Sequence, residues 1–216
     1  MTGTAAWPGK LDVDPVTGRV TGPIRISYND PWPCASGTWG SGAMQGALMH
    51  TMVGDLPGTI ATFNNKANQV SAHFGIAEDG QVWQFGPIGK GWIAWHAEAA
   101  NLTWYGIEHA DARDPDQVLT EAQITASAQL LEFLSRFAGF PLQVTDRPAG
   151  RGYGTHAMGG QAWGGHPCPD QPPRHVRSGM RPLIVALARE IRAGNTWQDH
   201  ALMLAEQLQA LIAAHQ

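Results

Sequence analysis

Charge is scarce in this chain. Only 15% of its 216 residues are Asp, Glu, Lys or Arg, and 14 basic against 18 acidic side chains leave a formal net charge of −4. No stretch gathers Lys and Arg into a stripe, which excludes a nucleic-acid partner held through its phosphates. Cysteine is nearly missing, with Cys34 and Cys168 alone. Nothing in the sequence places the two within bridging distance, so metal ligation or a free thiol is expected rather than a disulfide framework. No apolar run is long enough to span a bilayer, so no membrane partner is expected. The first residues, MTGTAAWPGKLDVDP, lack the basic and apolar regions of a secretion signal. Synthesis in the cytoplasm is the expectation, with the place of action left open. Internal repeats and low-complexity tails are absent as well.

What the chain has in quantity is Gly (26), Trp (9) and His (9), a composition suited to a loop-rich groove that stacks against sugars or peptides. The richest stretch is Thr155-His-Ala-Met-Gly-Gly-Gln-Ala-Trp-Gly-Gly-His-Pro-Cys-Pro-Asp170. It is too rich in Gly and Pro for a helix or strand to absorb it readily. Such backbone freedom serves to bring side chains to one point, here His156, His166 and Cys168.

The length suits one domain with an appendage. Residues 1–42, punctuated by Pro8, Pro15, Pro23, Pro31 and Pro33, read as an irregular arm with room for one short hairpin through Gly18–Tyr28. Gly46–Thr51 reads as a buried strand ending near His50, and Pro57 suits the first turn of a helix running to about Asn65. Val70, Ala72, Phe74 and Ile76 alternate, the turn Glu78-Asp79-Gly80 follows, and Val82–Phe85 returns, which is a hairpin signal. Thr103–Ala110 is a further central strand. Thr120-Glu-Ala-Gln123 has the form of a capping box, opening a helix that Gly139 stops. Leu142–Thr145 reads as a short strand, residues 181–193 as a helix, and residues 197–214 as a final amphipathic helix. Strands among helices predict an α/β (α+β) fold, a central mixed β-sheet flanked by helices. Residues 43–193 would form the catalytic domain and 194–216 a C-terminal helical extension.

Catalytic zinc takes three protein ligands and leaves one position open. Pro167 and Pro169 hold Cys168 between them, and the glycines after His156 allow a turn around one ion. His50, delivered by a strand end, can complete the set. A ligand pair of His166 and Cys168, leaving His156 free, is the competing arrangement. An amide hydrolase also needs an acid/base group, and Glu108 on an apolar strand is the candidate, because a buried carboxylate is costly unless paired or used. Burial would raise its pKa toward the range useful for proton transfer. A structural ion pair with Arg113 or Lys90 is the bland alternative. His109 should point to the opposite face of its strand from Glu108.

Five segments in order carry a resemblance. They are Leu48-Met-His-Thr51, Ser71-Ala-His-Phe74 with Asp79-Gly80, Ala94-Trp-His-Ala97, Gly106-Ile-Glu-His109, and His156 followed by His166-Pro-Cys-Pro169. Over about residues 45–190 the chain resembles the zinc-dependent N-acetylmuramoyl-L-alanine amidases of the amidase-2 and peptidoglycan-recognition-protein superfamily. It looks closest to amidase domains of endolysins from phages of actinobacteria. The resemblance implies that His50, His156 and Cys168 bind Zn²⁺. Relatives often carry Lys or Thr two positions before the last ligand, where a side chain contacts the developing oxyanion. His166 stands there, which implies transition-state stabilisation, with zinc ligation as its rival role. Relatives with a small residue at the place of Ala72 use a Glu at the place of Glu108, which supports Glu108 as the acid/base. His73, His96, Trp92 and Asn101 are assigned to the substrate groove, a histidine bonded to backbone being the alternative for His73 and His96.

The implied reaction is hydrolysis of the amide between N-acetylmuramic acid and the L-alanine of the stem peptide in bacterial peptidoglycan. Endolysin-type wall lysis after holin-dependent or other non-classical release would be its setting. A stem-peptide endopeptidase on the same scaffold, a non-catalytic peptidoglycan-binding module and a structural zinc site are the alternatives. Cys168 argues against the binding module, whose members lose that ligand. Oligomeric state is not legible.

Overall fold

The computed structural model describes residues 11–26, 44–89, 93–114, 117–170 and 177–194. Cys34, Lys90, Trp92, His175, His200, His215 and the expected helix over residues 197–214 lie outside them. Asp12–Val13 (β1) and Val20–Thr21 (β2) pair antiparallel, and Arg25–Ile26 (β3) follows. Gly46–Thr51 (β4) leads into helix Leu56–Asn64 (α1), then Phe74–Ile76 (β5) and Val82–Gln84 (β6). Trp104–His109 (β7) precedes helix Glu121–Ala138 (α2), and Gly152–Thr155 (β8) precedes helix Arg181–Ala193 (α3).

Among the described residues, six strands form one mixed sheet in the order β3-β6-β5-β7-β4-β8, with only the β5–β6 hairpin antiparallel. The expected mixed sheet with helices is the fold observed. Period-two alternation assigns the faces of the two central strands. Ala47 and Met49 of β4 and Tyr105 and Ile107 of β7 join the main core with α2 and α3. Leu48 and Trp104 face the other way, in a smaller cluster with Ala97, Ala100 and Trp163. His50 and Glu108 continue this second face. Fully burying a Leu, Ile or Phe side chain contributes roughly 1.5–3 kcal/mol, so the helix-covered face anchors the sheet, and the other face is left for the site.

Local sequence explains the helices. Asp55 accepts the Gly58 N–H at the start of α1, and Pro57 lies in its first turn. Thr120 and Gln123 form the full capping box of α2, a device worth about 1 kcal/mol at the cap, and Gly139 closes it at φ 72°. Gln123 then reaches the Ala110 carbonyl, and Ile124, Leu130, Leu131, Phe133 and Leu134 are buried, with Phe137 at the stripe's exposed edge.

Four expectations shift. The N-terminal hairpin lies at residues 12–21 rather than 18–28. Residues 11–26 also pack on the sheet: Gln84 donates to the Gly18 carbonyl and accepts the Val20 N–H, and Leu11, Val20 and Ile24 enter the core. Leu142–Thr145 contributes one isolated bridge, Val144 to Tyr153, because the strand that pairs with β4 is Gly152–Thr155. Two glycines gave that strand no β signature in the sequence. Residues 156–163 are 3₁₀ turns broken at Gly160 rather than an open loop.

Candidate functional site

The site sits where three adjacent parallel strands end. In the ladder His50 is opposite Glu108, and Met49 is opposite Thr155. His156, the next residue after β8, therefore emerges beside His50, and Glu108 flanks it on the other side. Side chains at the carboxyl ends of parallel strands project beyond the sheet, where ligands of open α/β sheets bind. Cys168 arrives from the loop after the 3₁₀ turns, its carbonyl accepting the Ala157 N–H at 2.9 Å.

One ligand atom each of His50, His156 and Cys168 lies within 4.8 Å of the others. His50 and Cys168 are buried and His156 is half-buried. Two imidazole nitrogens and one sulfur are a donor set that suits zinc at a site keeping an open position. Burial lowers the His50 pKa well below its usual value, and the rings of His96 and His156 add to this; burial likewise lowers His156. Both rings are thus held in the neutral form a metal ligand needs. The Cys168 sulfur accepts the Thr51 N–H at 3.1 Å, while burial, then the Glu108 charge, raises its thiol pKa well above the usual value. A cation at this point would relieve that desolvation and leave a thiolate.

Glu108 Oε1 is 4.0 Å from His50 Nδ1. Its Oε2 is buried and has no hydrogen-bond partner among the described residues. Burial, with a further push from Asp111, raises its carboxyl pKa to about 8. The bland alternative of a structural ion pair to Arg or Lys is not seen among the described residues, although Arg113 shares with Glu108 the lining of a cavity of about 240 Å³.

A second cavity, about 500 Å³, is lined by Trp95, His96, Asn101, His156, Trp163 and His166 among others. His166 is exposed, stacks on His156 with ring centroids 5.5 Å apart, and accepts the Cys168 N–H at Nδ1, 3.3 Å away. With Nδ1 accepting, the ring hydrogen sits on Nε2, which is the donor. His156 Nε2 donates to the Trp163 carbonyl at 2.6 Å, so its Nδ1 carries the lone pair. The structure thus gives His156 and His166 different surroundings: one ring is oriented by a carbonyl, the other lies on the groove rim.

The remaining predicted residues divide. His73 does not reach the groove; it is buried, and its Nδ1 accepts the Gly106 N–H at 3.0 Å. Asn101 lines the groove, but its Oδ1 is taken up by the N–H groups of His96 and Ala97. His96 lines the groove while its ring contacts His50, Nδ1 to Nε2 at 3.0 Å. His109 points to the helix side as expected. Its Nδ1 donates to the His50 carbonyl, and Ser127 of α2 lies 2.8 Å from Nε2.

Two contributors were missed in the sequence. Trp163 supplies the carbonyl behind His156. Arg177, 1% exposed, donates to the carbonyls of Gln117, His109 and Ala110, and its own N–H reaches Asp170, tying down the segment after Cys168. A bulky Trp inside a Gly-rich stretch was the one available signal.

The buried histidines set the acid stability of the metal-free protein. His96 and His109 are lowered to about 3, and His50 and His73 are lowered well below 6.5, all chiefly by burial. The folded state then binds fewer protons than the unfolded chain below about pH 6.5. Stability is lost as pH falls from there toward about 3. Glu108, raised to about 8, acts in the opposite sense, because its folded form holds a proton the unfolded chain has released. It removes stability as pH rises from about 4.5 to about 8. Chemical denaturation of metal-free protein should therefore peak in midpoint near about pH 6.5. Glu108→Gln should flatten the alkaline limb and steepen the acid limb between about pH 4.5 and 6.5, where Glu108 opposes the histidines. A midpoint unchanged between pH 4 and 6.5 would refute the burial of these rings.

A family model described as Amidase_2, N-acetylmuramoyl-L-alanine amidase, matches residues 40–171. N-acetylmuramoyl-L-alanine amidase A of Achromobacter lyticus is 38% identical over 102 residues, covering 45% of this chain and 56% of that protein. The chain thus spans little more than half the length of this curated relative. Among solved structures, the Staphylococcus aureus hydrolase AmiA in complex with its ligand aligns at TM-score 0.61 and 16% identity, over 81% of this chain and 86% of that one. A selenomethionine AmpD derivative aligns at TM-score 0.56 and 20% identity, over 81% and 98%. At these identities the structural likeness concerns the fold.

Proposed function

Since the chain belongs to the Amidase_2 family of N-acetylmuramoyl-L-alanine amidases, we propose that it hydrolyses the amide joining the lactyl group of N-acetylmuramic acid to the stem-peptide L-alanine of bacterial peptidoglycan, with Zn²⁺ as cofactor. The observation that carries the proposal is the convergence of His50, His156 and Cys168 beside a buried carboxylate whose Oε2 has no other partner among the described residues. These three side chains would hold the zinc. When bound, zinc supplies Lewis-acid polarisation of the scissile carbonyl and of the attacking water.

The chain's own groups do the rest. Glu108, raised to about 8, takes the proton of the attacking water and returns it to the departing amine of L-alanine, so that it ends as it began. The Nε2–H of His166, on the groove rim, faces the oxyanion of the tetrahedral intermediate. A donor in that position is typically worth about 3–4 kcal/mol. Trp95 and Trp163 give the larger cavity aromatic walls that suit a saccharide. The smaller cavity beside Glu108 leaves space for the peptide side of the bond.

We take residues 43–193, with residues 11–26 packed on their sheet, as the catalytic unit and wall lysis of endolysin type as its setting. None of the described helices is long and apolar enough to cross a membrane. Digestion of purified peptidoglycan followed by mass spectrometry tests the bond assignment. Lactyl-terminated glycans with intact stem peptides are expected. Stem fragments that stay attached to muramic acid would replace the amidase with an endopeptidase.

A further inference from the structure

His96 makes two polar contacts through its ring. Its Nε2 is 3.0 Å from the Trp104 carbonyl, and its Nδ1 is 3.0 Å from His50 Nε2. A carbonyl only accepts, so the hydrogen of a neutral His96 ring sits on Nε2, and Nδ1 presents a lone pair. His50 must then donate from Nε2, which leaves the His50 lone pair on Nδ1, the nitrogen on the Glu108 side. The second histidine of the cluster reaches the same state more directly, since His156 Nε2 donates to the Trp163 carbonyl.

We infer that His96 is a positioning residue, not a substrate contact: through the relay Trp104 carbonyl–His96–His50 it fixes the tautomer and ring orientation that present His50 Nδ1 to the metal. The reason for a relay is geometric. His50 lies one strand away from Trp104, whose carbonyl belongs to β7, and the imidazole of His96 bridges the gap. The ring is seated for this task. Its main-chain N–H is held by Asn101, and it lies against Gly106, where a Cβ would meet its Cγ and Nδ1 at 2.8 Å. Gly106 is thus required by the close approach of this ring rather than by its own backbone conformation. Outer partners of ligating histidines orient the ring and raise its basicity, and their loss typically weakens metal binding 10–100-fold.

This inference rests on the proposed metal centre, and its test separates the two. In metal-free, ¹⁵N-labelled protein, long-range ¹H–¹⁵N correlation spectra should show His50 and His96 both as Nε2–H tautomers. His50 found as the Nδ1–H tautomer would overturn the relay, and this measurement needs no variant. Zinc affinity is then read by competition with a chromophoric chelator. His96→Phe should bind about 10–100-fold more weakly, and His96→Gln, whose amide can both accept from His50 and donate to Trp104, should recover most of that loss. Gly106→Ala, which keeps the His96 side chain but displaces it, should weaken binding in the same direction. Wild-type affinity in His96→Phe, alongside a large loss in His50→Ala, would overturn the relay while leaving the metal centre standing. Wild-type affinity in His50→Ala would overturn both.

Discussion

Cys168→Ser is expected to leave the protein unable to retain zinc and without measurable hydrolysis. The side chain is 3% exposed, and its sulfur already accepts the Thr51 N–H. The thiol is raised well above its usual pKa, by burial first and then by the Glu108 charge. A cation at this point would make the thiolate favourable, so the sulfur and the proposed metal would depend on each other. A serine hydroxyl fits the space and can accept the same N–H, but it is far less acidic than a thiol and a poorer zinc ligand. Loss of an outer partner of a ligand typically costs 10–100-fold in affinity, so losing a ligand outright should cost at least about 10³-fold. Chelator competition measures the affinity, and release of stem peptides from peptidoglycan measures the rate. The metal-free melting temperature should change by only a few degrees, because the substitution is nearly isosteric. Full activity of the variant after exhaustive chelation would end the zinc mechanism.

Glu108→Gln separates chemistry from binding. The carboxylate is within the site but is not one of the three clustered candidate ligands. Zinc affinity should therefore change by a few-fold at most, while turnover falls by about 10²–10⁴, the usual worth of a positioned acid/base. Its pKa is the reason. Burial and Asp111 push it up to about 8 in the metal-free site, and a bound cation would draw it back toward neutrality, where a base can take a proton and still give it back. Glutamine preserves the shape and buries no charge, so the fold should survive. Steady-state rates on purified peptidoglycan together with zinc stoichiometry decide the matter. A rate within a few-fold of wild type would move the acid/base role to another residue.

The elements that could be read from the sequence are those whose reasons are local. Thr120 and Gln123 cap α2 through side chains three residues apart, and Gly139 ends it in the left-handed region. Asp79 and Gly80 turn the β5–β6 hairpin, and the apolar run Gly46–Thr51 needs a sheet buried on both faces. β8 was illegible for the opposite reason: Gly152 and Gly154 have no β preference of their own, and the strand forms because β4 offers it an edge. Likewise the burial of His73 depends on the approach of Gly106 from another strand.

For the candidate site, the residue types, their order along the chain and the family resemblance were enough to single out His50, His156, Cys168, Glu108 and His166 as candidates, because zinc and proton transfer require particular donor atoms wherever they occur. How each atom is held is set by tertiary structure alone. The Trp163 carbonyl orients His156, and the Cys168 N–H turns His166 so that its Nε2 is the donor. Burial beside Asp111 raises Glu108 to about 8. His96 stands in the sequence as one more histidine between Trp95 and Ala97, and only the fold sets it between the Trp104 carbonyl and His50. A sequence specifies which donors and acceptors exist. The direction in which a hydrogen bond runs, and the pKa that burial imposes, are properties of neighbours that only folding brings together.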